Sequence, residues 1–265
     1  MAVKRRDAFA LAGSSIIDDE SMFWEARRWV VAHLQNIILY EWLPEVLKGT
    51  NLTIPAYEGY KPNTDTSVTA EFSLVMNYAQ SLLSDDLLIR KIYSRSNIST
   101  VCQLETMPLC LYWWDGAGGI QKHSFESILG GMLAQCGERL DPHFSDVLTN
   151  QYFTGTLRVT TGDFPALTLM RSRDHGIADY ASVRRALGLR GVPFRDAAQA
   201  LNIGQKLEHV YDTNLTKVDL FVGGLMESLN QKTDHVSETF AAIILDQLVR
   251  LRDGDRFWFE NDKQK

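Results

Sequence analysis

The chain has 265 residues and a mass of 30.0 kDa, with 45% apolar and 23% charged residues. That is the composition of one large or two small globular domains, and it excludes a disordered, collagen-like or coiled-coil chain. Lys and Arg number 27 against 33 Asp and Glu, so the net charge of −6 lacks the basic excess that a phosphate backbone demands, and no nucleic-acid partner is expected. No window reaches the ~18 consecutive apolar residues of a membrane span, and the start, Met1 to Asp7, carries charge before a short, interrupted apolar stretch; neither a span nor a signal peptide is expected within these residues.

In chain order, Glu20 to Leu43 places Phe23, Ala26, Val30, Leu34 and Ile37 at helical spacing, with acidic residues at its start and Pro44 after its end. One long, mostly buried helix is expected. Residues 48 to 69 hold Gly49, Pro55, Gly59 and Pro62 and read as a long loop, of the kind that lines or covers something. Val68 to Leu83 reads as a second amphipathic helix, and residues 95 to 122 as irregular, including the flexible run Gly116-Ala117-Gly118-Gly119. That run lacks the strand before and helix after that a phosphate loop requires. Phe125–Cys136, Phe164–Met170, Tyr180–Leu187, Phe194–Leu201 and Phe240–Leu251 complete a set of predicted helices. Alternating strand patterns are scarce, no repeat is visible, and no break in composition marks a domain boundary.

Three cysteines, Cys102, Cys110 and Cys136, form neither a disulfide framework nor a Cys-x-x-Cys pair. Six scattered histidines show no zinc spacing, and no serine lies in a Gly-x-Ser-x-Gly elbow. Three Asn-x-Ser/Thr sequons, at Asn51, Asn97 and Asn214, suit an extracellular chain. Two strings concentrate charge beside apolar residues: Arg171-Ser172-Arg173-Asp174-His175-Gly176, and Arg250 to Asn261 with its Arg252-Asp253-Gly254-Asp255-Arg256-Phe257-Trp258 centre. An arginine fork grips carboxylates two-pronged, so the first string reads either as a grip on an anionic ligand group or as an Arg–Asp network tying helix ends together.

At these strings the chain resembles the animal haem peroxidase superfamily. Asp163 to Gly176 is similar to that family's signature ending in Arg-Asp-His-Gly, and Val218 to Glu227 and Asp246 to Trp258 are similar to two further blocks in the same order. Glu25-Ala26-Arg27-Arg28 with Tyr40-Glu41-Trp42-Leu43-Pro44, followed by Tyr57-Glu58-Gly59-Tyr60 and Glu71-Phe72, extends the likeness, so that ordered blocks run from Asp19 to Asn261. Within the superfamily the Tyr-Glu-Trp-Leu-Pro string and the region from Cys102 to Trp113 most resemble the peroxidase-like ectodomain of a dual oxidase. The resemblance implies a mostly α-helical fold with little sheet. It implies residues 1–18 as a remnant of a preceding distal-side region, 19–261 as the C-terminal part of the peroxidase-like domain, and 262–265 as a tail. It also implies haem as cofactor, the extracellular face of the plasma membrane or the secretory pathway as location, and a membrane oxidase core in the same or an associated chain as partner, with a homodimer or a maturation factor as further partners.

The chain departs from the family where the iron would be held. Competent members carry Arg-x-Gly-His after Glu-Phe, and that histidine is the proximal ligand. Here the position falls on Gln80 or Ser81, neither of which supplies an imidazole nitrogen. The family's asparagine that orients the ligand is replaced by Thr168. Of the haem contacts only Arg171 carries over, as the family's propionate-pairing arginine. His175 lies in the signature but is not the iron ligand by resemblance, and no catalytic residue is assigned. The resemblance therefore implies a domain without peroxidase chemistry of its own; the alternative is a genuine haem peroxidase in which Gln80 or a shifted histidine serves the iron.

Overall fold

The computed structural model describes residues 18–95, 99–109, 122–150, 162–190, 209–212, 217–230 and 235–261. Among them the fold is mostly helical, as the sequence implies, with a single two-stranded sheet. The chain forms two compact units, residues 1–68 with 244–265, and residues 69–243.

In the first unit, α1 (Asp19–Asn36) is started by Asp18, whose carboxylate accepts from the Ser21 backbone N–H at 2.8 Å. The helix then widens into a π-helical stretch, Ile37–Trp42, and continues as α2 (Leu43–Leu47). Pro44 does not end the helix; it occupies the first turn of α2, directly after the π-helical widening of Ile37–Trp42. The expected burial of the first helix is corrected here. No residue of α1 is buried, and Phe23, Trp24, Trp29, Val30 and Leu34 are all exposed. Helical spacing decides which residues share a face; only a covering element buries that face. The unit's core begins further on, at Leu39, Leu43, Val46 and Leu47.

The loop from residue 48 to 69 is strapped down by the end of α9 (Glu238–Gly254). Arg252, 1% exposed, donates from Nη1 to the Pro55 carbonyl at 2.7 Å and from Nε to Asp253 at 2.7 Å, and its guanidinium lies 5.4 Å from the Tyr57 ring centre. Asp253 in turn receives Lys61 Nζ at 3.0 Å, while Gln247 donates to the Ser67 carbonyl. Gly254 lies so close to this strap that a Cβ there would come within 2.3 Å of Thr66. Glu260 accepts from Trp258 Nε1 at 2.9 Å and from the Tyr40 hydroxyl, whose pKa burial and this carboxylate push up to about 12.

The second unit opens with α3 (Ala70–Val75), capped by Thr69, and a 3-10 continuation, Met76–Leu82. The helix expected over residues 68 to 83 is thus present with a tightened second half. Next come two antiparallel strands, β1 (Asp86–Arg95) and β2 (Ser99–Pro108), in register from Asp86 opposite Pro108 to Arg95 opposite Ser99. This corrects the irregular reading of the second strand's residues. The run Leu87-Leu88-Ile89 blurs the period-two alternation that would have announced the first strand. The helix α4 (Phe125–Ala134) packs on β1 through Gly131, where a Cβ would stand 1.7 Å from the Leu88 carbonyl oxygen. Gln135 extends the edge of β1, accepting from the Leu88 N–H and donating to the Asp86 carbonyl, both at 2.8 Å.

The remaining helices are α5 (Asp146–Thr149), α6 (Phe164–Asp174), α7 (Tyr180–Ala186), α8 (Leu220–Asn230) and the start of α9. Asp163, Asp179 and Ser237 cap α6, α7 and α9 through side-chain bonds to the third following N–H. Phe221 stacks on Phe240 at 6.0 Å, with Tyr78 and Phe144 each 6.3 Å from one of those rings. The expected helix at Phe194–Leu201 and the Gly116–Gly119 run lie outside the described residues.

Candidate functional site

The second unit contains a cavity of about 100 Å³ between α3 with its 3-10 extension and α6. From the first side come Ser73, Leu74 and Asn77; from the second come Thr168, Arg171, Ser172 and His175, one turn apart on a single face. The local sequence dictates this. Asp163 and the proline at the first turn set where α6 begins, and from that start positions 168, 171, 172 and 175 share one stripe.

Most polar groups around the cavity are turned back on their own helices. Asn77 donates to the Ser73 and Leu74 carbonyls at 3.1 and 3.0 Å, Ser172 Oγ donates to the Leu169 carbonyl at 2.8 Å, and His175 Nδ1 sits 2.8 Å from the Arg171 carbonyl. Thr168 is buried. Arg171 is exposed, and its guanidinium has no ion pair among the described residues. The cavity thus offers one unpaired cation beside a small polar wall, which suits contact with an anionic group.

The two readings of the signature string divide between its two arginines. Arg173 closes a two-pronged pair on Asp219, at 3.0 Å from Nε and 2.7 Å from a terminal nitrogen, and Tyr211 donates to the same carboxylate at 2.8 Å. This pair joins the signature helix to the block beginning at Val218, and it is architectural. Burial pushes the Asp219 carboxyl up, but the bonds from Arg173 and Tyr211 outweigh it and hold the group below its ordinary value. Arg171, the residue carried over by resemblance, is the one beside the cavity.

Neither Gln80 nor Ser81 lines that cavity. Ser81 is 1% exposed and donates to the Tyr78 carbonyl at 2.8 Å, and Gln80 is half-buried. Among the lining residues missed from sequence is Asn77. A signal for it existed: if Gln80 takes the histidine position of Arg-x-Gly-His, the arginine position falls on Asn77. The second charged string holds the strap in the first unit. A different ion pair is buried in the second unit: Arg184 bonds Glu227 at 2.6 Å, Thr239 at 2.7 Å and Glu238 at 2.9 Å, and Tyr180 donates to Glu227 at 3.0 Å.

Comparison with known proteins places these features in context. Residues 12–265 match the family model described as Animal haem peroxidase. The chain is 36% identical over 258 residues to the dual oxidase of Drosophila melanogaster, covering 92% of this chain and 16% of that protein. It is 32% identical over 262 residues to human dual oxidase 1, covering 93% and 16%. The chain therefore spans about a sixth of the length of these curated relatives. Among solved structures, peroxidase A from Dictyostelium discoideum superposes with a TM-score of 0.77 at 29% identity, over 93% of this chain and 46% of that one. A fatty acid alpha-dioxygenase from Oryza sativa shares the fold at a TM-score of 0.76 and 21% identity.

Proposed function

Because this chain belongs to the animal haem peroxidase family, we propose that it is part of a peroxidase-like ectodomain of the dual-oxidase type, serving assembly or partner contact beside a peroxide-generating oxidase core rather than peroxidase chemistry of its own. The observation that carries this reading is the helix at residues 70–82. It presents Asn77 to the cavity, while Gln80 and Ser81 lie outside the cavity lining and carry no imidazole.

Haem, the cofactor the family implies, does not fit the residues of this chain taken alone. A cavity of about 100 Å³ falls short of the ~300 Å³ at which small-molecule pockets begin, and far short of a macrocycle. The axial position lacks its imidazole, and Thr168 has no amide to orient one. Arg171 alone fits its expected role, an unpaired guanidinium able to meet a carboxylate. No chemical step is derived through the group. A contact role is supported by α1, whose exposed Phe23, Trp24, Trp29, Val30 and Leu34 are more apolar surface than an isolated soluble helix carries without a partner. The location in this reading is the outer face of the plasma membrane or the secretory pathway. Among the described residues no helix is long and apolar enough to cross a membrane.

A second reading, an active haem peroxidase with a non-standard iron ligand, draws on His175. It lines the cavity, and its Nδ1 is occupied by the Arg171 carbonyl, which leaves Nε2 to face a ligand. The test is the absorbance spectrum of the full-length ectodomain, purified from cells given a haem precursor, before and after peroxide. A bare protein spectrum from folded material is expected. A stoichiometric Soret band that shifts with peroxide overturns the scaffold reading, and its loss in His175→Ala identifies the ligand.

A further inference from the structure

Of the three sequons, Asn97 and Asn214 lie outside the described residues, whereas Asn51 lies on a fully described stretch that the cavity and the charged strings leave unused. Resting on the ectodomain reading above, we propose that Asn51 is an N-glycosylation site, accepting an oligosaccharide from a lipid-linked diphosphate donor in the secretory pathway. The sequon is Asn51-Leu52-Thr53, with threonine at the third position and no proline between.

The local structure presents it well. Helix α2 ends at Leu47, and Gly49 at φ +78° turns the chain out of the helix, a reversal that glycine makes without a Cβ clash. Thr50 then holds the bend, donating from Oγ1 to the Leu47 carbonyl at 2.7 Å and accepting from the Leu52 N–H at 3.2 Å. With Thr50 doing this, Asn51 is not needed for the turn. Its carboxamide has no hydrogen bond among the described residues, and both Asn51 and Thr53 are exposed. Leu52 is half-buried and anchors the segment, so the acceptor and the hydroxyl that a transferase must reach stand exposed on irregular chain, without a helix or strand to unravel first.

The chemistry balances without any redox partner. Asn51 Nδ2 forms a bond to the anomeric carbon of the donor sugar, the bond from that carbon to the diphosphate oxygen breaks, the amide gives up one proton, and the lipid diphosphate leaves. A glycan on Asn51 also marks that surface as one that stays solvent-facing in the assembled protein.

The test uses the full-length protein expressed in a eukaryotic host. Sealed microsomes are treated with protease, the protein is solubilised, its glycans are cleaved off with a peptide N-glycosidase in heavy-oxygen water, and its peptides are read by mass spectrometry. The expected result is a protease-protected chain in which Asn51 is converted to heavy-oxygen-labelled aspartate. The variants N51Q and T53A each lose the same single step in gel mobility, and T53S keeps it. A protected chain whose Asn51 peptide is unmodified overturns the Asn51 assignment and leaves the ectodomain reading standing. A chain digested in intact microsomes overturns the ectodomain reading, and the Asn51 assignment falls with it.

Discussion

Arg184 and Glu227 form a pair in which both side chains are 3% exposed, and the pair and the side chains that bond it come from three helices. Arg184 comes from α7, Glu227 from α8, Thr239 and Glu238 from α9, and the Arg190 carbonyl accepts from Arg184 Nε at 2.9 Å. Replacing Glu227 by leucine leaves a guanidinium buried against Thr239 and a half-compensating Glu238, and stranding one member of such a pair costs about 3–5 kcal/mol. Against a domain stability of about 5–15 kcal/mol this is a large fraction. At a urea slope of about 2 kcal/mol per molar, the unfolding midpoint of the purified protein falls by about 1.5–2.5 M. Arg184→Met alone strands the Glu227 carboxylate and costs a similar amount. The double variant, Arg184→Met with Glu227→Leu, removes both charges and retains volume, so it costs less than either single change. The assay is equilibrium urea denaturation followed by far-ultraviolet circular dichroism. A double variant whose loss equals the sum of the two singles would refute the claim that the damage comes from an uncompensated charge rather than from lost packing.

Arg171 and Arg173 separate sharply by thermal melting: Arg171→Ala stays within about 0.5 kcal/mol of the parent because its guanidinium holds nothing among the described residues, whereas Arg173→Ala releases Asp219 and destabilises measurably. Acid titration of stability reads the same pair from the other side. The Asp219 pKa is depressed below 3.8 in the folded protein, so its contribution is present above that value and is lost as pH falls through the lower, folded pKa; the gap in stability between the parent and Asp219→Asn narrows below about pH 4 and is steady above pH 5. Among the glycines, Gly224→Ala places a Cβ 2.0 Å from a Phe240 ring carbon and costs about 1–3 kcal/mol or more by overpacking. Gly176→Ala meets no neighbour within 4 Å and costs about 1 kcal/mol from its φ of +65° alone, and calorimetry ranks the two.

How much of this was legible in the sequence depended on whether the governing interaction was local. Helix starts were readable because Asp18, Asp163 and Asp179 are capping residues that act within three positions. The helix α8 escaped notice because Gly223-Gly224 reads as a breaker; both glycines are there because Tyr180 and Phe240 press on them from distant segments. The sheet escaped because a consecutive apolar run hid its alternation, and the exposure of α1 escaped because burial depends on what covers a face. At the candidate site, Arg171 was named by resemblance alone, and its difference from Arg173 was invisible until Asp219 could be seen taking one of the two.

The first unit is discontinuous: its loop from residue 48 onward is fastened by residues some 190 positions later, as in the Lys61 to Asp253 pair, 192 residues apart. During synthesis at about 5–20 residues per second, the early segment waits about 10 to 40 s for its fasteners to emerge. Through that interval the first unit's core residues Leu39, Leu43, Val46 and Leu47 stand without residues 244–261 of their own unit while the whole second unit is being made. A chain cut between Ile243 and Arg252 keeps every residue of the second unit and lacks the arginine that fastens the first unit's loop at Pro55.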